Sequence, residues 1–434
     1  MIKGNRFKKF VLLLGDIALL YGALFLTLVI RYGSLPSQRL WQEHRTAFLF
    51  VNIIWIIMFY IVGLYDFEKF ARSARITLIG RTMLVGWGLA IAIFYFVPFS
   101  YFGITPKTNL LIYAIFVSLF IWLWRTLYHR IITKGAKIKV FFLGSSAEIS
   151  YLSDFIDQNP QLGYKTIKDI NEAALIVISE QTKQNPEFVK SLYDMVLKGK
   201  TIVDFYHFYE QITGKVPVPT ISKTWFLENM VEINKRKFEQ TKRLADLFVA
   251  GIISVPFALF FPFVAAAIKL TSKGPVFFKQ KRVGKNGKIF NIYKFRSMLS
   301  LSKDGSAETE GAKWAQKNDA RVTSIGNFLR KTRLDEWPQV INVFKGDISF
   351  VGPRPERPEF VEDLAQKVPY YSIRHLVKPG VSGWAQINYD YGSSVEDALQ
   401  KLHYDLYYIK NRSIILEISI MLKTIMTILQ SKGR

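Results

Sequence analysis

Two adjacent acids, Asp335 and Glu336, stand in a short cationic field made by Arg330, Lys331, Arg333 and, further on, Arg354. They lie in the stretch NDARVTSIGNFLRKTRLDEWPQVINVFKGDISFVGPRP, Asn318 to Pro355. Neighbouring carboxylates repel each other, so a fold rarely places them together without cations or a metal nearby. Arg and Lys hold phosphate oxygens, while a carboxylate attacks phosphorus or binds a metal. Acids and cations gathered at one turn therefore suit phosphate chemistry. Lys294 and Arg296, in Lys294-Phe295-Arg296-Ser297-Met298, form a second cationic point. Arg354 lies between Pro353 and Pro355, which fix its backbone. Arg374-His375 and Lys378-Pro379-Gly380 add further donors. Singly, each is more often a solvated charge. Together, each beside a rigid Pro, a Gly or an aromatic ring, they form a candidate binding set.

The elements that position the acids follow from spacing. Ser324 is a helix cap, with Ile325, Phe328 and Leu329 at helical intervals. A second helix begins at Asp335, with Pro338 in its first turn and Val340, Ile341 and Phe344 apolar, and it stops at Gly346. The acids then sit at a helix N-terminus, where free N–H groups and the dipole favour negative charge. A plain N-cap role for Asp335 stays open beside the chemical one.

Composition sets the wider frame. The 434 residues are 50% hydrophobic and 15% aromatic, with a formal net charge of +24. That is too apolar for an ordinary soluble enzyme and too polar for a pure transporter, so a membrane part joined to a soluble part is expected. Basic flanks beside apolar spans account for the charge. The basic clusters form no reading helix and no aromatic ribonucleoprotein motif, which argues against nucleic acid as a partner. With no cysteine, any metal is held by oxygen or imidazole.

Four apolar spans come first, at Phe10–Ile30, Ala47–Tyr65, Leu78–Phe99 and Leu110–Leu127, each near the length that crosses a bilayer. The first lacks a small-residue cleavage site, so it reads as an anchor. Basic residues before span one (Lys3, Arg6, Lys8, Lys9), after span two (Lys69, Arg72, Arg75, Arg81) and closing span four (Arg125, Arg130, Lys134, Lys137, Lys139) put both ends of this unit in the cytoplasm, with Arg31, Arg39 and Arg45 after span one a mild exception. Alternating strands and helices follow: Lys139–Gly144, Ala147–Asp157, Ala174–Ser179, Pro186–Lys198 and Thr201–Phe205. They predict a small Rossmann-like α/β unit. Its first turn is Gly144-Ser145-Ser146 rather than GxGxxG, so a spacer or oligomerisation module is the better expectation than a dinucleotide site.

A fifth apolar run, Leu247–Ile268, contains Ser254, Pro256 and Pro262 and is strongly basic on both flanks. Proline breaks or kinks a helix. If both flanks stay inside, the segment enters one leaflet and leaves on the same side; an ordinary kinked crossing helix is the alternative. Beyond it, Lys285-Asn286-Gly287-Lys288 predicts a hairpin turn between Pro275–Lys279 and Ile289–Tyr293. The tail, His403–Leu429, suits helices lying on a membrane surface or packed on the core. The expected fold is thus a membrane protein of α plus α/β class. A four-helix transmembrane domain spans 1–135 and a Rossmann-like domain 136–225. A mixed α/β catalytic domain spans 226–434, with a re-entrant helix at about 244–270.

The stretches Lys269–Met298, Leu329–Pro355 and Arg374–Tyr389 (RHLVKPGVSGWAQINY) resemble the bacterial sugar transferase family. These are the monotopic polyprenyl-phosphate phosphoglycosyltransferases that begin exopolysaccharide, capsule and O-antigen assembly. The resemblance covers about Arg236 to the C-terminus, and the front half resembles the large members of the family. It implies transfer of a sugar-1-phosphate from a UDP-sugar to undecaprenyl phosphate, with release of UMP. It implies Asp335 as a nucleophile forming a phospho-aspartyl intermediate, and Glu336 as a residue that helps bind Mg²⁺ or positions the phosphate. It also implies a bacterial cytoplasmic (inner) membrane location with the site on the cytoplasmic face. The expected substrate-binding residues are Lys294, Arg296, Arg330, Arg333, Arg354, Arg374, His375 and Lys378. The expected metal ligands are Glu336 and Asp335. Trp337 stands where many relatives carry an aliphatic residue, and Ser254-Val255-Pro256 replaces the family's Ser-Pro. A non-catalytic scaffold of polysaccharide assembly is the alternative, against which the intact acid pair counts. A lipid-linked sugar flippase is a further one, against which the small number of spans counts. The sugar, the role of the Rossmann-like unit and a homodimer are left open.

Overall fold

The computed structural model describes residues 4–66, 72–96, 107–183, 186–229, 235–300, 321–389, 392 and 394–429. Lys69, the end of the third apolar span at 97–99, and Asn318 to Ala320 lie outside the described residues. The chain forms two compact units, Met1–Phe208 and Tyr209–Arg434. Residues 209–225, read from the sequence as the end of the α/β unit, pack with the C-terminal unit instead. Val216 N–H donates to the His403 carbonyl at 3.0 Å, and Lys410 pairs with Glu210 at 2.8 Å.

The first unit begins with helices α1 (Gly4–Tyr32), α2 (Gln38–Ile61), α3 (Arg72–Phe96) and α4 (Lys107–Lys134). α1, α2 and α4 are each long and apolar enough to cross a membrane, as is one helix of the second unit. In α3 the described apolar stretch is Thr82–Ala92. Leu12, Leu24, Phe48, Trp55, Phe59 and Tyr113 meet in one core. Among lipid tails there is little hydrophobic drive between helices, so tight packing and polar bonds matter more. Arg125 supplies the main polar tie. Its Nη2 meets Asp16 Oδ2 at 2.6 Å, and its Nη1 donates to the Leu64 carbonyl at 2.6 Å. Tyr65 donates to the same Asp16 oxygen at 2.7 Å.

A four-stranded sheet follows, built from β1 (Ile138–Leu143), α5 (Ala147–Gln158), β2 (Tyr164–Thr166), β3 (Leu175–Ile178), α6 (Glu180–Lys183), α7 (Pro186–Leu197), β4 (Thr201–Asp204) and the start of α8 (Phe205–Thr213). The strand order is β2-β1-β3-β4 and every pairing is parallel. β3 is the continuous apolar run Leu175-Ile176-Val177-Ile178 expected of a strand covered on both faces. β2 has three residues, too few to leave a periodic signal in the sequence.

The second unit carries α9 (Lys223–Asn229) and the long α10 (Arg236–Thr271). α10 runs unbroken through Pro256 and Pro262. The break expected from the prolines is therefore not a change of secondary structure. Each Pro removes one N–H bond, and Ser254 Oγ donates to the Ala250 carbonyl at 2.7 Å inside the same turn, a bond that bends helices without ending them. β5 (Phe277–Val283) and β6 (Ile289–Phe295) form the predicted hairpin, in register from Phe277 opposite Phe295 to Val283 opposite Ile289. Asn286 takes the left-handed conformation that the turn demands, with φ 56°.

The remaining elements are α11 (Ser324–Lys331), α12 (Val340–Lys345), β7 (Ser349–Val351), α13 (Pro358–Lys367), β8 (Gly380–Ser382), α14 (Trp384–Asn388), α15 (Val395–Asn411) and α16 (Ile414–Leu429). β7 and β8 pair in parallel. They approach so closely that a Cβ on Gly380 would lie 2.1 Å from the Gly352 nitrogen. α15 is a core helix, with Leu402, Leu406, Tyr408 and Ile409 buried. α16 has two faces, with Ile420 buried and Ile415, Ile418 and Ile425 exposed.

α10 stays with this unit along its length. Near its start, Glu239 pairs with Arg412 and Lys242 with Glu417, while Asp246 accepts from Ser349 Oγ at 3.0 Å. In its middle, Phe257 and Phe261 pack on Phe295. At its end, Arg296 donates to the carbonyls of Ile268, Ser272 and Lys273. The opposite face exposes Leu244, Phe248, Ile252, Val255, Leu259 and Phe263. Steps of three and four residues make these one continuous stripe.

Candidate active site

Asp335 and Glu336 lie on a 3-10 turn, Leu334–Gln339, that runs into α12. The sequence predicts an α-helix starting at Asp335. The turn is tighter because Arg333, just before it, is left-handed with φ 59° and Pro338 within it has no N–H to donate. α11, which leads in, is capped by Thr323 rather than Ser324: the Thr323 hydroxyl accepts from Gly326 N–H at 3.0 Å. A Cβ on Gly326 would lie 1.9 Å from the Ser297 carbonyl oxygen, so only glycine lets α11 press onto the end of β6. That contact lets Arg330 Nε donate to Ser297 Oγ at 2.8 Å.

Three cations converge on Glu336. Lys294 Nζ donates to Oε1 at 2.8 Å, and Arg354 Nη2 donates to the same oxygen at 3.3 Å. Arg333 Nη1 faces Oε2 at 3.7 Å, too far for a hydrogen bond. Burial works against the Glu336 charge, but Lys294, Arg354 and Arg333 outweigh it and hold the carboxyl well below its usual range. Asp335 is treated differently. It is 9% exposed. Burial, helped by the Glu336 charge and opposed by Lys294, Arg333 and Arg330, pushes it up to about 6. Two adjacent acids are thereby driven apart, one a fixed anion and the other titrating close to neutrality. Asp335 Oδ1 is buried with no hydrogen-bond partner among the described residues.

The loop that carries Arg354 is held at every carbonyl. Gly380 N–H donates to Pro353 O at 2.9 Å, and Val283 N–H donates to Glu356 O at 2.9 Å. Between them, Arg374 Nη2 donates to Arg354 O and Arg282 Nη1 to Pro355 O, each at 2.9 Å. With φ also fixed at Pro353 and Pro355, the Arg354 side chain projects from a rigid base. A small recess whose lining includes Pro353, Arg354, Pro355, Arg374, His375 and Pro379 lies beside it.

Lys294, Arg333 and Arg354 are therefore brought to the acid pair, with Arg330 adding its field to Asp335. Three other expected binding residues are placed differently. Arg296 is 2% exposed and caps the end of α10. Arg374 is 6% exposed, with its guanidinium among Tyr371, Asp405 and the Arg354 carbonyl. Lys378 lies close to Gly346 and feels the charges of Arg243 and Asp246, away from the acids. His375 lines the recess, but burial and the Arg374 charge push it down to about 4. At neutral pH it offers a neutral ring rather than a cation. Sequence reasoning places Arg282 only in the basic flank after the fifth apolar run and gives Asp405 no role. Asp405 is an acid inside the aromatic helical run Tyr404-Asp405-Leu406-Tyr407-Tyr408, and a charge in such a run signals a buried partner.

No group of three or more His, Asp or Glu that could hold a metal occurs among the described residues. Mg²⁺, however, is often held by one or two carboxylates, with substrate phosphates and water completing its shell. The orphaned Asp335 Oδ1 and the adjacent Glu336 carboxylate supply the one or two carboxylate oxygens such an ion takes from a protein, so the residues present fit it.

A family model described as "Bacterial sugar transferase" matches residues 237–431. The chain is 48% identical over 195 residues to UDP-N-acetylgalactosamine-undecaprenyl-phosphate N-acetylgalactosaminephosphotransferase of Aeromonas hydrophila, covering 44% of each chain. It is 42% identical over 186 residues to UDP-glucose:undecaprenyl-phosphate glucose-1-phosphate transferase of Escherichia coli K12, covering 42% of this chain and 39% of that one. The chain thus spans less than half the length of these two relatives. It is 39% identical over 194 residues to the exopolysaccharide production protein PSS of Rhizobium leguminosarum, where the match covers 43% of this chain and 94% of the relative. The matched stretch contains α10, the acid pair, its three cations and the clamped Arg354 loop, and on it the chain is a member of the bacterial sugar transferase family.

Proposed function

We propose that the protein is a polyprenyl-phosphate phosphoglycosyltransferase. It moves a sugar-1-phosphate from a UDP-sugar to undecaprenyl phosphate and releases UMP, the first membrane step of an exopolysaccharide, capsule or O-antigen. The observation that carries this is the split acid pair, Glu336 locked by Lys294 and Arg354 beside an unpartnered Asp335 oxygen. Such a pair gives one carboxylate free to attack and a ring of cations ready for phosphate oxygens. The names of the two long relatives support the donor and acceptor classes.

In the proposed course, an Asp335 oxygen attacks the phosphorus that bears the sugar. A P–O bond forms as the bond to the bridging oxygen breaks, and UMP leaves with that oxygen. A phosphate oxygen of undecaprenyl phosphate then attacks the same phosphorus, the aspartyl P–O bond breaks, and the Asp335 carboxylate is restored. Lys294, Arg333 and Arg354 offset the repulsion between carboxylate and phosphate and hold the transferring group in line. Bound Mg²⁺, held by Asp335 and Glu336, would supply further charge neutralisation on the phosphates. Two displacements let a water-soluble donor and a lipid acceptor use one site in turn.

The lipid acceptor also gives α10 a role. Its length would let it cross a membrane, yet both of its ends are bonded to one unit, through Glu239, Lys242 and Asp246 at the start and Arg296 at the end. That favours a re-entrant placement, with the exposed stripe from Leu244 to Phe263 in lipid and the site at the cytoplasmic face of the inner membrane. The test is UMP release by purified full-length protein given Mg²⁺, undecaprenyl phosphate and a panel of UDP-sugars. Release with one sugar, lost in D335N, is expected. Release retained in D335N would remove Asp335 as nucleophile, and no release with any UDP-sugar from folded protein would overturn the proposal.

A further inference from the structure

We propose that Asp405, acting through Arg374, is a positioning residue that aims Arg354 at the donor phosphates. This rests on the reading of Arg354 as a phosphate-binding side chain. Asp405 is 1% exposed on core helix α15, and its Oδ2 lies 3.0 Å from Arg374 Nη2, an ion-pair contact outside hydrogen-bond geometry, so charge rather than a directed bond ties the two. Arg374 turns the same nitrogen to the Arg354 carbonyl at 2.9 Å and its Nη1 to the Tyr371 hydroxyl at 2.5 Å. Arg354 in turn reaches Glu336. The line Asp405–Arg374–Arg354–Glu336 therefore joins the middle of α15 to the acid pair.

The chemistry of the guanidinium explains why an arginine stands at position 374. A planar fork spreads its donors over separate nitrogens in fixed directions, here Nη1 toward the Tyr371 hydroxyl and Nη2 toward the Arg354 carbonyl and Asp405, whereas an ammonium holds its three donors on one freely turning atom. A buried guanidinium also needs its counter-ion, since removing one partner of a buried pair leaves the other uncompensated. Asp405 thus fixes where Arg374 sits, and Arg374 fixes the one carbonyl of the 353–356 loop that belongs to Arg354. The other three carbonyls of that loop are held by Gly380, Arg282 and Val283, so loss of Arg374 frees the backbone at the aiming residue alone. The substrate gains nothing directly from Asp405, which lies in the core and does not reach the acid pair itself.

The test is a double-mutant cycle in full-length protein, with R354A, D405N and their combination compared for UMP release at varied UDP-sugar. D405N is expected to raise the donor KM about tenfold with a smaller change in kcat. In the R354A background the same change should have little further effect, because the aim of an absent side chain no longer matters. R374K serves as a second variant should D405N fold poorly. It keeps the positive charge beside Asp405 but not the fork, and the same KM change is expected. A purely structural role predicts a lower melting temperature with donor KM unchanged, or effects of D405N and R354A that multiply independently. Either result overturns the proposal. Wild-type protein that releases no UMP and binds no UDP-sugar is a separate result. It removes the reading of the site and this inference with it, since Arg354 would then have no phosphate to be aimed at.

Discussion

Replacing Asp335 by Asn should abolish transfer and make the protein more stable. A carboxyl whose pKa rises from 3.8 in the unfolded chain to about 6 in the fold binds its proton more tightly when folded. The stability from that proton is fully present below 3.8 and is lost as pH rises through about 6. Above that range wild type carries a buried charge that costs about 3 kcal/mol, at 1.36 kcal/mol per pKa unit. Asn is neutral at every pH and keeps the shape, so D335N should gain about 3 kcal/mol at pH 7.5. At about 2–4 °C per kcal/mol for a unit of this size, melting of the C-terminal unit should rise by roughly 6–12 °C. The gain should fall to about half at pH 5, where wild-type Asp335 is largely protonated. The assay is thermal melting of full-length protein in detergent at both pH values, beside UMP release at pH 7.5. A D335N protein that melts no higher than wild type at pH 7.5, or whose gain does not shrink on acidification, would refute the claim that the fold holds this carboxyl against its charge.

Three further outcomes follow from the same geometry. If ionised Asp335 is the attacking group, kcat/KM for the donor should rise about tenfold per pH unit below an apparent pKa near 6 and level off above it, as a pH–rate profile would show; a flat profile from pH 5 to 8 would exclude it. R333G should melt within about 5 °C of wild type, because Arg333 has φ 59° and glycine meets that conformation without strain, yet its kcat/KM should drop at least about tenfold; unchanged rates would show that Arg333 only shapes the turn. In the first unit, D16N leaves Arg125 buried without its counter-ion and should lower stability by roughly 3–5 kcal/mol, whereas D16L combined with R125M should recover much of that loss; equal loss in the single and double variants would contradict the pairing.

What was legible in the sequence was the chemistry that declares itself by type and spacing. Asp335 and Glu336, the cations at 294, 333 and 354, and the hairpin turn at Asn286-Gly287 all follow from the sequence. The direction each cation takes could not. Arg296 and Arg354 both sit beside rigid neighbours, yet one caps α10 and the other reaches Glu336. That choice depends on which carbonyls the tertiary fold leaves without donors. Arg374 reads as a ligand residue in the sequence because its partner, Asp405, lies thirty-one positions away (405 minus 374) on another helix. The prolines of α10 predict a break or kink, but the helix runs through both at the loss of two N–H bonds, held by ion pairs at its start, Phe257 and Phe261 on Phe295 in its middle and Arg296 at its end. The 3-10 turn under the acids reflects a left-handed Arg333, a conformation that no sequence rule assigns to arginine.

Covalent trapping tests the central claim most directly. Full-length protein would be incubated with a UDP-sugar labelled on the phosphorus that bears the sugar, with Mg²⁺ and without any polyprenyl phosphate. The label should become attached to the protein, map to the peptide containing Asp335, and be discharged when undecaprenyl phosphate is added; D335N should take up none. Label that transfers to undecaprenyl phosphate without ever residing on the protein, or that attaches equally to D335N, would contradict a nucleophilic Asp335.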